Sequence, residues 1–178
     1  MTITTAAKRK LAFRPDDGTN FMEAALEAVS AKLGQDQQAV RLAMRHGDCT
    51  ICDSVRYQLV QKVAADLGAV DASVKAVYLY EPEQATTSDE GVRERPSLSP
   101  GMSLIVWVDR KTAALNSIVD SLGTALSATA KPLSCPFANA LCWMLDAQFV
   151  DDQQVERRMG YGALINSVYV RPIEVWRR

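Results

Sequence analysis

Ser103-Leu104-Ile105-Val106-Trp107-Val108 is the stretch of this sequence that decides the fold class. β-branched and aromatic side chains favour strands, and a run that is apolar at successive positions fits a strand with both faces covered. We therefore predict a strand over residues 103–108 in the interior of a sheet. The run is far shorter than the roughly 20 residues that a membrane-spanning helix needs, so it predicts no membrane span.

A second strand is predicted before it, in Val74-Lys75-Ala76-Val77-Tyr78-Leu79-Tyr80, where β-branched and aromatic residues are again frequent. Residues 82–101, between the two strands, are polar, contain prolines and show no periodicity. Such a long loop is either a connector or a lid over a site. We favour the connector, because this loop contains no histidine, cysteine or aromatic residue.

Two amphipathic helices are predicted on the N-terminal side of these strands. Apolar side chains recur at helical spacing after Asn20, a residue that caps helices, and stop at Gly34. A second apolar stripe predicts a helix that begins at Thr50 or Asp53 and ends before Gly68. Both helices carry one apolar face, so both are expected to pack on the sheet.

Hydrophobic periodicity, prolines and glycines also assign the remaining elements. Pro136 fits the first position of a helix. Pro172 makes the strand that follows it an edge or a bulged strand and not a central one, because proline cannot donate a ladder hydrogen bond. In chain order these elements are a strand over residues 39–44, a helix from 109 or 112 to 130, a helix over 134–149 whose polar continuation toward 159 is left open, a strand over 164–170 and a strand over 173–176.

The order of these elements predicts the fold class. Strands and helices interleave without a strict alternating repeat, which favours an α/β or α+β domain with a roughly four-stranded mixed sheet packed by about four helices. The chain has 178 residues, which suits one hydrophobic core. We therefore predict a single domain over residues 1–178, in which residues 1–18 form a polar leader.

Composition and charge narrow the functional classes. The formal net charge is −1, from 20 basic and 21 acidic residues, so no global field attracts nucleic acid or an anionic membrane. We expect neither as a partner. The first residues contain no apolar stretch typical of a signal peptide, so we expect a cytoplasmic protein whose four cysteines are reduced.

One segment carries residues suited to chemistry, His46-Gly47-Asp48-Cys49-Thr50-Ile51-Cys52-Asp53. It combines a C-x-x-C pair with the only histidine of the chain, at a predicted helix start. Thr50 and Asp53 have the spacing of a reciprocal helix cap. A thiolate at a helix N-terminus is stabilised by unpaired N–H groups, which predicts a reactive thiol. In this redox hypothesis the catalytic residues are Cys49, which attacks a disulfide, and Cys52, which resolves it.

A C-x-x-C motif between a strand and a helix resembles the pattern of the thioredoxin and glutaredoxin family. Three features depart from that family: the aromatic-Cys-Gly-Pro-Cys type of motif is absent, a long helix precedes the candidate strand, and no helix separates the next two strands. We therefore do not assign the chain to it.

The same residues predict a metal site as a second hypothesis. His46, Cys49 and Cys52 offer one imidazole and two thiolates, a ligand set that suits zinc. Three ligands do not close a structural site, and the second ligand pair of familiar zinc motifs is missing. An iron–sulfur cluster lacks a recognised cysteine spacing. The remaining candidates for a fourth ligand are solvent, Asp48, Asp53, Cys135 and Cys142.

A purely structural role for this segment stands against both hypotheses. Cys52 extends the apolar stripe of the predicted helix, as a buried cysteine would. No serine lies in a strand-turn-helix elbow, and no glycine-rich phosphate loop is present. We therefore expect a non-catalytic domain that binds a protein or a small ligand. A homo-oligomer is one form that such a domain can take. The alternative is a metal-binding or thiol-redox protein, and whether the chain is an enzyme is left open.

Overall fold

The computed structural model describes residues 15–80, 101–130 and 144–178. Among these residues no helix has the length and apolar character needed to cross a membrane. The predicted loop over 82–101 falls almost entirely outside the described residues. The elements are α1 Pro15–Leu33, α2 Gln37–Arg45, α3 Cys49–Val70, β1 Val74–Leu79, β2 Gly101–Val108, α4 Ala113–Ala130, β3 Met144–Asp151, α5 Asp152–Glu156, α6 Gly162–Ile165 and β4 Ile173–Arg177.

The described strands form one mixed sheet in the order β3-β2-β1-β4. β1 runs antiparallel to both β2 and β4, whereas β2 and β3 are parallel. Parallel neighbours need a crossover connection, and α4 lies in the connection between them. The interior position of β2 and the edge position of β4 are as predicted, and the described residues form an α+β fold with four strands.

Three long helices enclose the main hydrophobic core on one face of the sheet. α3 packs against β1 and β4, α4 packs against β3, and α1 packs against both of these helices. α3 and β4 approach so closely that a Cβ on Gly68 would lie 2.1 Å from Cζ2 of Trp176. Glycine is therefore required at this point of α3. Each fully buried aliphatic side chain of this core contributes roughly 1.5–3 kcal/mol.

The opposite face of the sheet carries a second, smaller core under the two short helices. It contains Val155 of α5 and Ile165 of α6, which pack on side chains of the three strands β1, β2 and β3. The sheet side chains in this second core are Ala76, Tyr78, Ile105 and Val150.

Two predictions for the N-terminal half were wrong. Residues 39–44 belong to helix α2 and are not a strand. The Asp36 side chain caps α2 by accepting a hydrogen bond of 2.7 Å from the Ala39 N–H, and Val40 and Met44, four residues apart, are both buried. Helix α1 begins at Pro15 and not at Asn20, since proline fits the first helical turn.

Two predictions for the C-terminal half were also wrong. Residues 144–149 form strand β3 and not a helix, because Leu145, Ala147 and Phe149 alternate along the strand and pack on the main core. Residues 134–143 of that predicted helix lie outside the described residues. Residues 164–170 are not a strand: α6 ends at Ile165 and turns follow. Both ladders of β1 are already occupied, by β2 and β4.

Candidate functional site

The residues singled out in the sequence lie at the corner between α2 and α3. His46 is exposed and ends α2, and Gly47 follows with a φ of 75°, a conformation that favours glycine. The carboxylate of Asp48 accepts hydrogen bonds from the backbone N–H groups of Thr50 at 3.0 Å and Ile51 at 3.1 Å. The cap of α3 is therefore Asp48, and the predicted capping role of Thr50 was wrong.

The two thiols lie in the first turn of α3. Cys49 is the first residue of the helix, and residues three apart on a helix are neighbours on its surface. Both cysteines are partly buried. The Cys49 thiol donates to the carbonyl oxygen of Gly47 across 3.6 Å, whereas Cys52 packs against the main core. Cys52 thus has the packing of a core residue, and the redox role of the pair stays a prediction.

No metal cluster forms at this corner among the described residues. Within that part of the chain, no three histidine, cysteine or acidic side chains are placed to hold an ion, and His46, Cys49 and Cys52 all belong to it. Cys135 and Cys142 lie outside it. Zinc binding stays a prediction that needs ligands beyond the described set.

A charged cluster that sequence reasoning missed lies at one end of the second core. A β-bulge in β1 inserts Lys75 between Val74, which pairs with Val108 of β2, and Ala76, which pairs with Trp107. The Lys75 ammonium pairs with Asp109 at 2.7 Å and with Asp152 at 2.6 Å, and it lies 5.7 Å from the centre of the Trp107 ring. The sequence pattern of β1 did not reveal this bulge, so it gave no signal for the cluster.

Two groups of β4 extend the cluster toward the edge of the sheet. Arg177 donates a hydrogen bond of 2.8 Å to the hydroxyl of the buried Tyr78 and pairs with Glu174. Its guanidinium carbon lies 6.0 Å from the centre of the Trp107 ring. The ion pairs of Lys75 and Arg177 therefore flank the same indole.

The pKa values of this cluster show which chemistry it suits. Hydrogen bonds to Asp109 and Asp152 raise the pKa of Lys75, and the bond from Lys75 lowers the pKa of Asp152. The pKa of Glu174 is lowered by Arg177, whereas burial raises the pKa of Tyr78. Every one of these shifts moves away from neutrality, whereas general acid–base catalysis needs a pKa near the working pH. The cluster therefore suits positioning and not proton transfer.

Exposed apolar side chains are concentrated in residues 157–173, which run from the end of α5 to the first residue of β4. These residues are called the 157–173 segment. Five of the seven exposed large hydrophobic side chains among the described residues lie there. Val168 is 86% exposed and Tyr169 is 94% exposed. The Ser167 hydroxyl oxygen accepts from the backbone N–H groups of Tyr169 and Val170, each at 3.2 Å. A hydrogen-bonded turn therefore presents these two side chains to solvent.

The segment begins with an unusual backbone conformation. Arg158 has a φ of 53°, which is uncommon for a residue other than glycine. Its N–H donates to the carbonyl oxygen of Val155 at 3.2 Å, and the Met159 N–H donates to that of Gln154 at 2.8 Å. These two bonds form the helix-ending motif in which this position is usually glycine. Sequence reasoning missed this surface because residues 164–170 look like a strand.

The function of the chain must be argued from these two surfaces and the α2–α3 corner. No protein-family model, no curated protein and no solved structure matches the chain.

Proposed function

We propose that the chain is a non-catalytic domain that binds a protein partner through the 157–173 segment. The observation that carries this proposal is the exposure of Val168 and Tyr169 on a turn held by Ser167. An apolar surface concentrated in one segment is typical of an interaction site, because exposing it to water is unfavourable. Tyrosine is also enriched among the residues that contribute most to binding at interfaces.

The turn at Tyr169 is held by hydrogen bonds in the free chain, which favours binding. Binding costs free energy when flexible side chains and loops become fixed, on the order of 0.5–1.5 kcal/mol for each immobilised side chain. The backbone around Tyr169 already makes its hydrogen bonds within the turn, so less ordering remains for the complex. The charged cluster supports the same view: Asp152 is the first residue of α5, and its bonds to Lys75 and Trp107 fix the element that precedes the segment.

A metal-binding or thiol-redox protein remains the alternative. Its support is the pair of partly buried thiols of Cys49 and Cys52 in the first turn of α3. A helix spans about 1.5 Å for each residue, so Cys49 lies about 28 Å along α3 from Gly68, next to β4. The two candidate functions therefore use different parts of the molecule and are tested by different substitutions.

The proposed function is tested by photo-crosslinking followed by affinity measurement. The photo-crosslinking residue benzoylphenylalanine replaces Tyr169 in one variant. In the control variant it replaces Lys32, an exposed residue of α1 in the layer of long helices. We expect a discrete crosslinked protein at position 169 that is absent at position 32. The purified partner should then bind Tyr169→Ala at least 10-fold more weakly, while Leu42→Ala, at an exposed apolar residue of α2, keeps the affinity.

Two results would contradict the proposal. The first is an identical set of crosslinked products at positions 169 and 32. The second is an unchanged affinity of Tyr169→Ala for every partner that position 169 captures.

A further inference from the structure

We propose that the partner of the 157–173 segment is a protein segment that carries carboxylates beside apolar side chains, and that Arg158 and Arg171 bind those carboxylates. This inference rests on the proposed function and adds the chemistry of the partner. Its first support is a charge asymmetry in the sequence. Residues 157–178 contain five arginines and one glutamate, which gives this part of the chain a formal charge of +4. The whole chain has a formal charge of −1, so residues 1–156 carry a formal charge of −5.

Three of the five arginines are engaged within the fold. Arg177 pairs with Glu174. Arg178 donates to the carbonyl oxygens at the end of α3, among them that of Gly68 at 2.6 Å. The guanidinium of Arg157 lies 3.1 Å from the side-chain amide of Gln153.

The other two arginines, Arg158 and Arg171, are exposed, and neither forms a salt bridge with another described residue. The charge of Arg171 contributes to lowering the pKa of Glu174, so Arg158 is the less engaged of the two. They lie at the two ends of the segment that presents Tyr161 and Tyr169. A guanidinium group binds a carboxylate through two parallel hydrogen bonds, which gives both attraction and a defined orientation.

The backbone of Arg158 gives an independent argument. Its left-handed conformation is unfavourable for a residue with a Cβ, and glycine would fit the helix-ending motif without strain. Arginine nevertheless occupies the position, while its side chain makes no ion pair among the described residues. Residues that break a local rule without a gain in the fold are expected at functional sites. The side chain of Arg158 is therefore assigned to binding.

Other occupants fit these observations less well. A second copy related by a two-fold axis would place this basic surface against itself, and like charges repel. Nucleic acid binding needs a wide basic surface, whereas the whole chain has a net charge of −1. Anionic membranes are recognised by clusters of about 4–8 basic residues, more than the two arginines available here.

The experiment uses the full chain and a phage-displayed library of random peptides. Peptides selected on the wild-type chain should be enriched in aspartate or glutamate beside aromatic or aliphatic residues. Synthetic versions should bind Arg158→Gly and Arg171→Gln at least 10-fold more weakly than wild type. Arg45→Gln, at an exposed arginine of α2, is the matched control and should leave the affinity unchanged. Arg158→Gly removes the guanidinium group and relieves the backbone strain, so a loss of binding with an unchanged or higher Tm reports recognition and not unfolding.

The outcomes separate this inference from the proposed function. Selected peptides without acidic residues that still require Tyr169 would overturn the inference and leave the proposed function in place. Peptides that bind Tyr169→Ala as well as wild type would overturn both. A self-association that Tyr169→Ala abolishes, or tight binding to polyuridylate or to phosphatidylserine vesicles that Arg158→Gly abolishes, would also overturn the inference by naming a different occupant.

Discussion

The indole N–H of Trp107 donates a hydrogen bond of 2.7 Å to Oδ1 of Asp152, the carboxylate that also pairs with Lys75. Trp107 lies in the interior strand β2, and Asp152 is the first residue of α5. This bond therefore connects the centre of the sheet to the short helix from which the 157–173 segment starts. The bond helps to hold α5, the helix that precedes the proposed binding surface, against the sheet.

Replacing Asp152 by asparagine should lower the Tm in a pH-dependent way. The folded-state pKa of Asp152 lies below its ordinary value of 3.8, so its ion pair stabilises the fold above that pH and stops doing so as the pH falls through the folded-state pKa. The Tm difference between wild type and Asp152→Asn should be largest near neutral pH and shrink below pH 3.8. Circular dichroism melts between neutral pH and strong acid measure it.

A matched control for this prediction is Asp120→Asn, at an exposed carboxylate of α4. It should leave the Tm nearly unchanged across the same range. A Tm difference between Asp152→Asn and wild type that stays constant with pH would contradict the ion-pair contribution.

Arg158→Gly should raise the stability of the chain. A left-handed backbone costs a residue with a Cβ about 1 kcal/mol relative to glycine, which corresponds to a rise in Tm of about 2–4 °C for a domain of this size. Arg157 is the matched control, because its φ of −83° is ordinary and glycine gains nothing there. Arg157→Gly should therefore lower the Tm or leave it unchanged. A lower Tm for Arg158→Gly would contradict the strain assigned to this position.

Gly68→Ala should destabilise the fold strongly. The added Cβ would lie 2.1–2.7 Å from three atoms of the Trp176 ring, and a rigid indole cannot yield locally. Overpacking of this kind costs about 1–3 kcal/mol. Gly123→Ala is the matched control: its nearest neighbour is Leu145 Cβ at 3.7 Å, so in helix α4 it should stabilise by up to about 1 kcal/mol. Urea denaturation measures both, and Trp176→Leu should rescue Gly68→Ala.

Sequence patterns predicted the central elements and missed those set by tertiary contacts. The apolar patterns of α3 and β2 are enough to predict a helix and a strand, since each element buries a full face against the same core. Residues 145–149 suit either element, because Leu145 and Phe149 are four apart and also alternate with Asp146 and Gln148. Only the vacant edge of β2 selects a strand there.

The candidate site was predictable only in part, for a similar physical reason. The cysteine motif was located correctly at the start of a helix, because capping is local in sequence. The ion pair of Lys75 and Asp152 joins residues that are 77 positions apart, and it requires a β-bulge that no local pattern reveals. Residues 164–170 have the apolar pattern of a strand, but α6 ends at Ile165 and the Ser167 hydroxyl holds a turn at Tyr169 instead.

Removing both thiols should leave partner binding intact. Cys49 and Cys52 lie about 28 Å and about 24 Å along α3 from Gly68, next to β4, so Cys49→Ser with Cys52→Ser should change the affinity for the partner less than 2-fold. Dialysis of the wild-type chain against a chelator under reducing conditions should likewise change neither the Tm nor the affinity. A metal hidden at this corner would instead be released by the chelator, and zinc would restore the Tm, because binding energy of a structural metal is folding energy. Two results would favour the metal or thiol-redox alternative over the proposed binding domain. The first is a Tm that falls on chelation and recovers when zinc is added. The second is a loss of partner binding in the double-substituted chain.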